Sequence, residues 1–136
     1  MNVAYYVLVF DHATDVFLES IGMNSALREQ TGSSVFVAEA HVTYDQEVME
    51  GETVDISSQV IGSDAKRLHL FHRMYRRSDG ILAATNELMI LHVNLNSRRV
   101  GPFPDSVLLH LKDISKRHAE FRRPDQVGRV MRIANK

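Results

Sequence analysis

The hydrophobic pattern begins with a helical stretch and then switches to a strand period. From Val3 to about Ile21, apolar residues recur along one helical stripe at Val3, Val7, Phe10, Phe17 and Ile21. Ala4, Tyr5, Tyr6, Leu8 and Val9 widen that stripe almost all the way round, and polar residues gather only at Asp11, His12, Asp15 and Glu19. A helix apolar on every side in its first turns predicts a buried helix. Asn2 is placed as its N-cap, because a short amide side chain accepts from the free amides of the first turn. Gly22 is placed as its stop. Tyr5 to Phe10 also suits a strand, but the length and the cap favour helix.

From Ser34 the period becomes two. Phe36, Ala38, Ala40, Val42 and Tyr44 fall on one face, and Glu39, His41, Thr43 and Asp45 on the other. Glu50-Gly51-Glu52 reads as a turn, and Thr53 to Ile61 alternates again with Val54, Ile56 and Val60 on one side. Gly62-Ser63-Asp64 is the next turn. Arg67 to Arg77 sets Leu68, Leu70 and Met74 on one face, Phe71 and Tyr75 on the other. Asp79-Gly80 is a strong hairpin signal. Ile81 to Leu95 is apolar on both faces and predicts a central strand. Pro102 and Pro104 end the sheet, and Asp105 is placed to cap a surface helix over Ser106 to Phe121, with the stripe Val107, Leu108, Leu111, Ile114, His118 and Phe121.

The expected architecture is α+β: a buried helix, four long strands in an antiparallel meander, then an amphipathic helix. The 136 residues form one domain, 1–136, with no linker or repeat. Four strands around one helix leave sheet edges open, which predicts a homodimer or a dimer of dimers.

Composition narrows the chemistry. Sixteen basic against seventeen acidic residues give a net charge of −1, so nothing pulls the chain toward nucleic acid. The absence of cysteine excludes disulfides, a thiolate metal site and a cysteine nucleophile. No apolar run approaches the roughly 20 residues of a membrane span, and no basic n-region of a secretory signal opens the chain, so the expected location is cytoplasmic. There is no Gly-x-Ser-x-Gly elbow, phosphate loop or dinucleotide fingerprint.

Seven histidines do not predict a metal centre. His69 and His72 stand three apart in a strand and point to opposite faces. His110 and His118 are separated by about 12 Å of helix rise.

More promising is the N-terminus of the first helix. Its unpaired backbone amides, at Val3 and Ala4 behind the Asn2 cap, suit a developing oxyanion; a purely structural cap is the plainer alternative. Carboxylates able to activate water are Asp11, Asp15, Glu39 and Glu87. Asp11 interrupts an apolar helix, which suggests a partly buried carboxylate that is partnered or functional; a salt bridge or an ordinary helix-surface position is the plainer alternative. Two basic pairs at strand ends, Lys66-Arg67 and Arg98-Arg99, are candidates for phosphates, though strand ends are routinely charged. Tyr5, Tyr6 and Phe71 are candidates for an acyl pocket, or for a cationic head group, against the ordinary reading of core residues.

The segment from Met1 through Asn2, Tyr5, Tyr6, Phe10 and Asp11 resembles the helix signature of hotdog-fold proteins of the 4-hydroxybenzoyl-CoA-thioesterase-like family. Gly51-Glu52, Arg67-Leu68-His69-Leu70, Asp79 to Thr85, and Val93 to Arg99 followed by Pro102 and Pro104 agree in order and spacing, over about residues 1 to 105. Within that family the chain is most similar to thioesterases of carnitine and betaine metabolism. The resemblance implies a sheet wrapped around one long helix and a dimer with sites between subunits. It also implies acyl-CoA hydrolysis without a metal or other cofactor, CoA entering as part of the substrate.

The family usually places a first strand and an Asp-x-x-Gly-His segment just before the helix, and this sequence starts inside that motif. The resemblance therefore implies either a longer chain or a degenerate member with an exposed sheet edge. In a related branch the carboxylate comes from the helix, and Asp11 stands at that position. The rival readings are a non-catalytic acyl-CoA-binding protein, and a hydratase pairing His with Asp. His12 and Asp11 diverge by about 100° around the helix, which makes the hydratase the weaker rival.

Overall fold

The computed structural model describes residues 2–133. It contains α1 (Val3–Ser20), α2 (Ser25–Thr31), β1 (Ser33–Tyr44), β2 (Val54–Ser63), β3 (Arg67–Arg76), β4 (Leu82–Asn94), β5 (Arg99–Val100) and α3 (Asp105–His118). Among the described residues, no helix is long and apolar enough to cross a membrane.

Each predicted element is present within a few residues of its expected bounds. Helix α2 is an addition: Ser25–Thr31 carries no apolar stripe, but Asn24 caps it through a side-chain bond to the Leu27 amide at 2.9 Å. Gly32 ends it at φ 66°, where a Cβ would also lie 2.9 Å from the Asn96 side chain. Helix α3 differs at its start. Pro104 takes the cap position, and Asp105 is the first helical residue, its carboxylate complementing the dipole instead of capping.

The strands pair antiparallel in the order β1-β4-β3-β2, with β5 on β4. Only β2, β3 and β4 form the expected meander. After β1 the chain crosses to the far edge through 45–53, so β1 pairs with β4 and not with β2. This makes β4 a central strand, buried from both faces as its composition predicts.

One face of the sheet carries the helices. Leu68 and Leu70 of β3, Leu88 and Ile90 of β4, and Val60 of β2 pack against Phe17 and Leu18 of α1, the Ile21 that caps it, and Val107 and Leu111 of α3. A second cluster at the other end joins Tyr6 and Phe10 to Val48, Met74 and Ala84. The buried stripe of α1 is therefore Tyr6, Phe10, Thr14, Phe17 and Leu18, narrower than predicted and rotated from Val3 and Val7. Val3, Tyr5, Val7, Leu8 and Val16 remain exposed, because a single sheet covers one side of a helix only.

Strand β1 departs from simple alternation. A bulge between Val37 and Glu39 shifts its register, so Phe36 lies opposite Leu91, on the other face from Ala40 and Val42, and is exposed.

The edge strand β2 is covered over part of its length. His118 Nδ1 accepts from the Val60 amide at 2.8 Å, and Ser115 Oγ lies 3.0 Å from Ser63 Oγ. Beside its other half runs an apolar groove of about 480 Å³ lined by Val9, Ala13, Val16, Ile56 and Ser58 among others.

Candidate active site

The start of α1 is built by a local cap. Asn2 adopts an extended conformation, and its side-chain oxygen accepts from the Tyr5 amide at 3.0 Å. The Asn2 carbonyl accepts from the Tyr5 and Tyr6 amides at 3.1 and 3.3 Å. That leaves the Val3 and Ala4 amides as the helix-end donors without an intrahelical acceptor. No acidic side chain occupies the first turn. The end of α1 thus presents backbone donors and the positive end of the helix dipole.

The two adjacent tyrosines part company here. Tyr6 is buried, and its hydroxyl accepts from the Val48 amide at 3.0 Å, which ties the 45–53 loop to the first turns of α1. Tyr5 is 54% exposed. Together with Asn2, Glu50, Gly51 and Glu52 it lines a cavity of about 480 Å³.

Asp11 does not match its expected burial. It is exposed, and it stands about two and a half turns along α1, roughly 13 Å from Asn2. The apolar surroundings inferred from its neighbours in sequence belong to the side of α1 that no sheet covers. Asp15 is exposed as well.

Phe71 lies away from this site. It is fully buried on the sheet face turned from α1, with the Arg73 guanidinium 5.1 Å from its ring centre. The segment after α3 crosses that face: Gln59 donates to the Arg122 carbonyl at 3.3 Å, and the Gly128 amide donates to Glu87 at 3.1 Å. Glu39 and Glu87 also lie there, with His41 and His69 around a second cavity of about 420 Å³. His69 Nε2 donates to Glu87 at 2.7 Å. His72 points the other way into the core, so the two histidines diverge as their spacing requires. Among the described residues, no three His, Asp or Glu side chains converge as a metal site.

The segments that carry the two basic pairs both lie at the opposite end of the sheet. Lys66 and Arg67 line a cavity of about 540 Å³ with Asp64, Ala65, Leu91 and Val100, and Arg99 precedes Val100 on β5. Arg67 is held by Asp64 at 2.6 Å, which leaves Lys66 as the less encumbered cation. Arg98 closes the β4–β5 turn at φ 58°, left-handed for a side chain of this size. Sequence spacing alone did not show that the Lys66 and Arg99 segments converge; only the β3-β4-β5 pairing joins them.

Sequence reading does not single out Glu50 and Glu52 as lining this cavity; the Glu-Gly-Glu turn reads only as a connection.

Comparison with known proteins places this geometry in a family. The family model described as Thioesterase-like superfamily matches residues 1–111. The chain is 39% identical over 128 residues to a betainyl-CoA thioesterase of Pseudomonas aeruginosa, covering 94% of this chain and 80% of that one. It is 34% identical over 124 residues to an L-carnitine dehydrogenase/betainyl-CoA thioesterase of Rhizobium meliloti, of which it spans 25%. A hypothetical protein of Staphylococcus aureus, solved in complex with CoA, superposes with a TM-score of 0.92 at 31% identity, covering 98% of this chain and 84% of that one. With its α1-on-sheet architecture and capped helix end, the chain belongs to the thioesterase-like superfamily and is a thioester hydrolase of the hotdog fold.

Proposed function

We propose that the chain hydrolyses a small acyl-CoA thioester as a homodimer, with betainyl-CoA the first substrate to test. The observation that carries this reading is the pair of amides, Val3 and Ala4, that have no hydrogen-bond partner among the described residues, at a capped helix end whose Asn2 and Tyr5 line a cavity. A thioester oxygen held there gains negative charge as the tetrahedral intermediate forms, and oriented amides stabilise that charge more than the ground state.

Water needs a base. Asp11 of the same protomer is too distant from these amides, but Val3, Val7 and Asp11 share one exposed stripe of α1. Two copies packed with antiparallel α1 helices about a two-fold axis near Val7 would set Asp11 of one copy level with Val3 of the other. Such a dimer also buries the apolar side of α1 that the sheet leaves open. Asp11 then takes a proton from water as its oxygen attacks the carbonyl carbon. The intermediate collapses with cleavage of the C–S bond. The sulfur leaves as the CoA thiolate and takes up the proton, releasing the acid. No metal or organic cofactor enters this scheme, and CoA is part of the substrate. Lys66, Arg67, Arg98 and Arg99 suit its phosphates.

The test is thiol release from a panel of acyl-CoA esters by the wild type and Asp11→Asn. Turnover by the wild type and its loss in the variant support the scheme. Full turnover by Asp11→Asn removes Asp11 from it.

A further inference from the structure

We infer that Tyr5, with the carboxylates of Glu50 and Glu52, forms a receptor for a quaternary ammonium group on the acyl moiety, and so sets specificity for a short cationic acyl thioester. This rests on the thioesterase reading above and assigns residues to its substrate preference.

The first argument is one of distance. In a betainyl thioester a single methylene separates the ammonium nitrogen from the thioester carbonyl carbon. Whatever recognises the cation must therefore sit directly beside whatever holds the oxygen. The oxygen site is the Val3 and Ala4 amides, and Tyr5 is the next residue along. Its amide is fixed by the Asn2 cap at 3.0 Å, and its half-exposed ring shares the cavity with Asn2.

The second argument is electrostatic. The positive end of the α1 dipole repels a cation, and the first turn has no acidic residue to offset it. The offset comes from the loop that Tyr6 pins against α1. Within that loop the Glu52 amide donates to the Met49 carbonyl at 3.1 Å, and Glu52 Oε2 accepts from the Met49 amide at 2.7 Å. The second Glu52 oxygen accepts from Ser78 at 3.4 Å. Glu52 is thereby a positioned anion. Glu50 carries no hydrogen bond or ion pair among the described residues. Two cations lie near this turn: Arg76, engaged by Asp79 at 2.7 Å and by the Glu47 carbonyl at 2.9 Å while also attracted to Glu52, and Arg77, paired with Asp55.

The third argument is the chemistry of the ligand. A trimethylammonium group has no N–H to donate, so hydrogen bonds cannot select it. An aromatic face and nearby carboxylates select it through its charge. A neutral acyl group gains nothing from two carboxylates at the same cavity wall.

The decisive comparison is betainyl-CoA against 3,3-dimethylbutyryl-CoA, in which carbon replaces the nitrogen with almost no change of shape. The ammonium also activates the thioester toward hydroxide, so each enzymatic ratio of kcat/KM is divided by the ratio of the uncatalysed rates. The wild type is expected to favour the cationic ester on the order of tenfold or more after that correction. Tyr5→Leu, Glu50→Gln and Glu52→Gln should each move the ratio toward one, and Tyr5→Phe should retain it. Glu50→Gln removes no contact, and Glu52→Gln keeps an acceptor for the Met49 amide, so both test charge in a folded protein. A corrected wild-type ratio near one, or a ratio unmoved by Tyr5→Leu and Glu50→Gln, overturns this assignment and leaves the thioesterase standing. Hydrolysis of neither ester overturns the thioesterase reading itself.

Discussion

His72 Nε2 lies 2.8 Å from Thr14 Oγ1, between α1 and the sheet. Thr14 spends its own proton on the Phe10 carbonyl at 3.1 Å, so it meets the imidazole as an acceptor and His72 carries its hydrogen on Nε2. The bare Nδ1 then accepts from Ser58 Oγ at 2.7 Å. The neutral ring is satisfied at both nitrogens and fully buried, stacked near Phe10.

Burial pushes the His72 pKa down to about 4 from its ordinary 6.5. The unfolded chain therefore binds more protons between those values, and stability must fall as the pH drops from 6.5 toward 4. The loss is about 3 kcal/mol over the window at 1.36 kcal/mol per unit. His118, also lowered by burial and by Arg117, adds in the same direction. Urea unfolding at pH 4.5, 5.5, 6.5 and 7.5 should show the slope, and His72→Leu should flatten it. An equal slope in that variant would trace it to other groups.

Asn2 separates capping from catalysis. Asn2→Ala should cost about 0.5–2 kcal/mol through the lost cap and lower turnover as well. Asn2→Asp keeps the cap, but it sets a negative charge where the oxyanion must form. It should hold Tm near the wild-type value while kcat drops about tenfold or more. Calorimetry beside thiol-release kinetics distinguishes the two effects.

Asp11→Asn should change stability by no more than about 0.5 kcal/mol, because the side chain is exposed, yet lower kcat by about 10²–10⁴. Val7→Glu tests the assembly that this role requires. It would oppose two carboxylates across the two-fold axis and should yield a monomer by sedimentation, with turnover lost alongside. A fully active Val7→Glu monomer would contradict a shared site.

Lys66→Ala combined with Arg99→Ala should raise KM for CoA esters about tenfold, with an effect that shrinks at high salt. The same variant should hydrolyse an N-acetylcysteamine thioester, which lacks the phosphates, with unaltered kinetics. A matching defect on both substrates would mean that the basic end supports structure and not CoA.

The local features of this chain were legible in its residues. Asn2 caps α1 because a cap needs only a short side chain and the next few amides. Gly22, at φ 94°, sits just past its end. Alternation marked β1, β2 and β3, and the two-sided apolar run of β4 marked the centre of the sheet. What depended on distant partners was not legible. The pairing of β1 with β4 follows from a crossing of the sheet, which local turn signals do not encode. The bulge that turns Phe36 over comes from that pairing. Which stripe of α1 is buried, and hence the exposure of Asp11, depends on the face the sheet presents. The convergence of Tyr5 with Glu50 and Glu52 needs the Tyr6–Val48 bond, formed between residues far apart in sequence. Short-range hydrogen bonding and periodicity are properties of the sequence itself, whereas burial and proximity between elements exist only once the sheet has chosen its order.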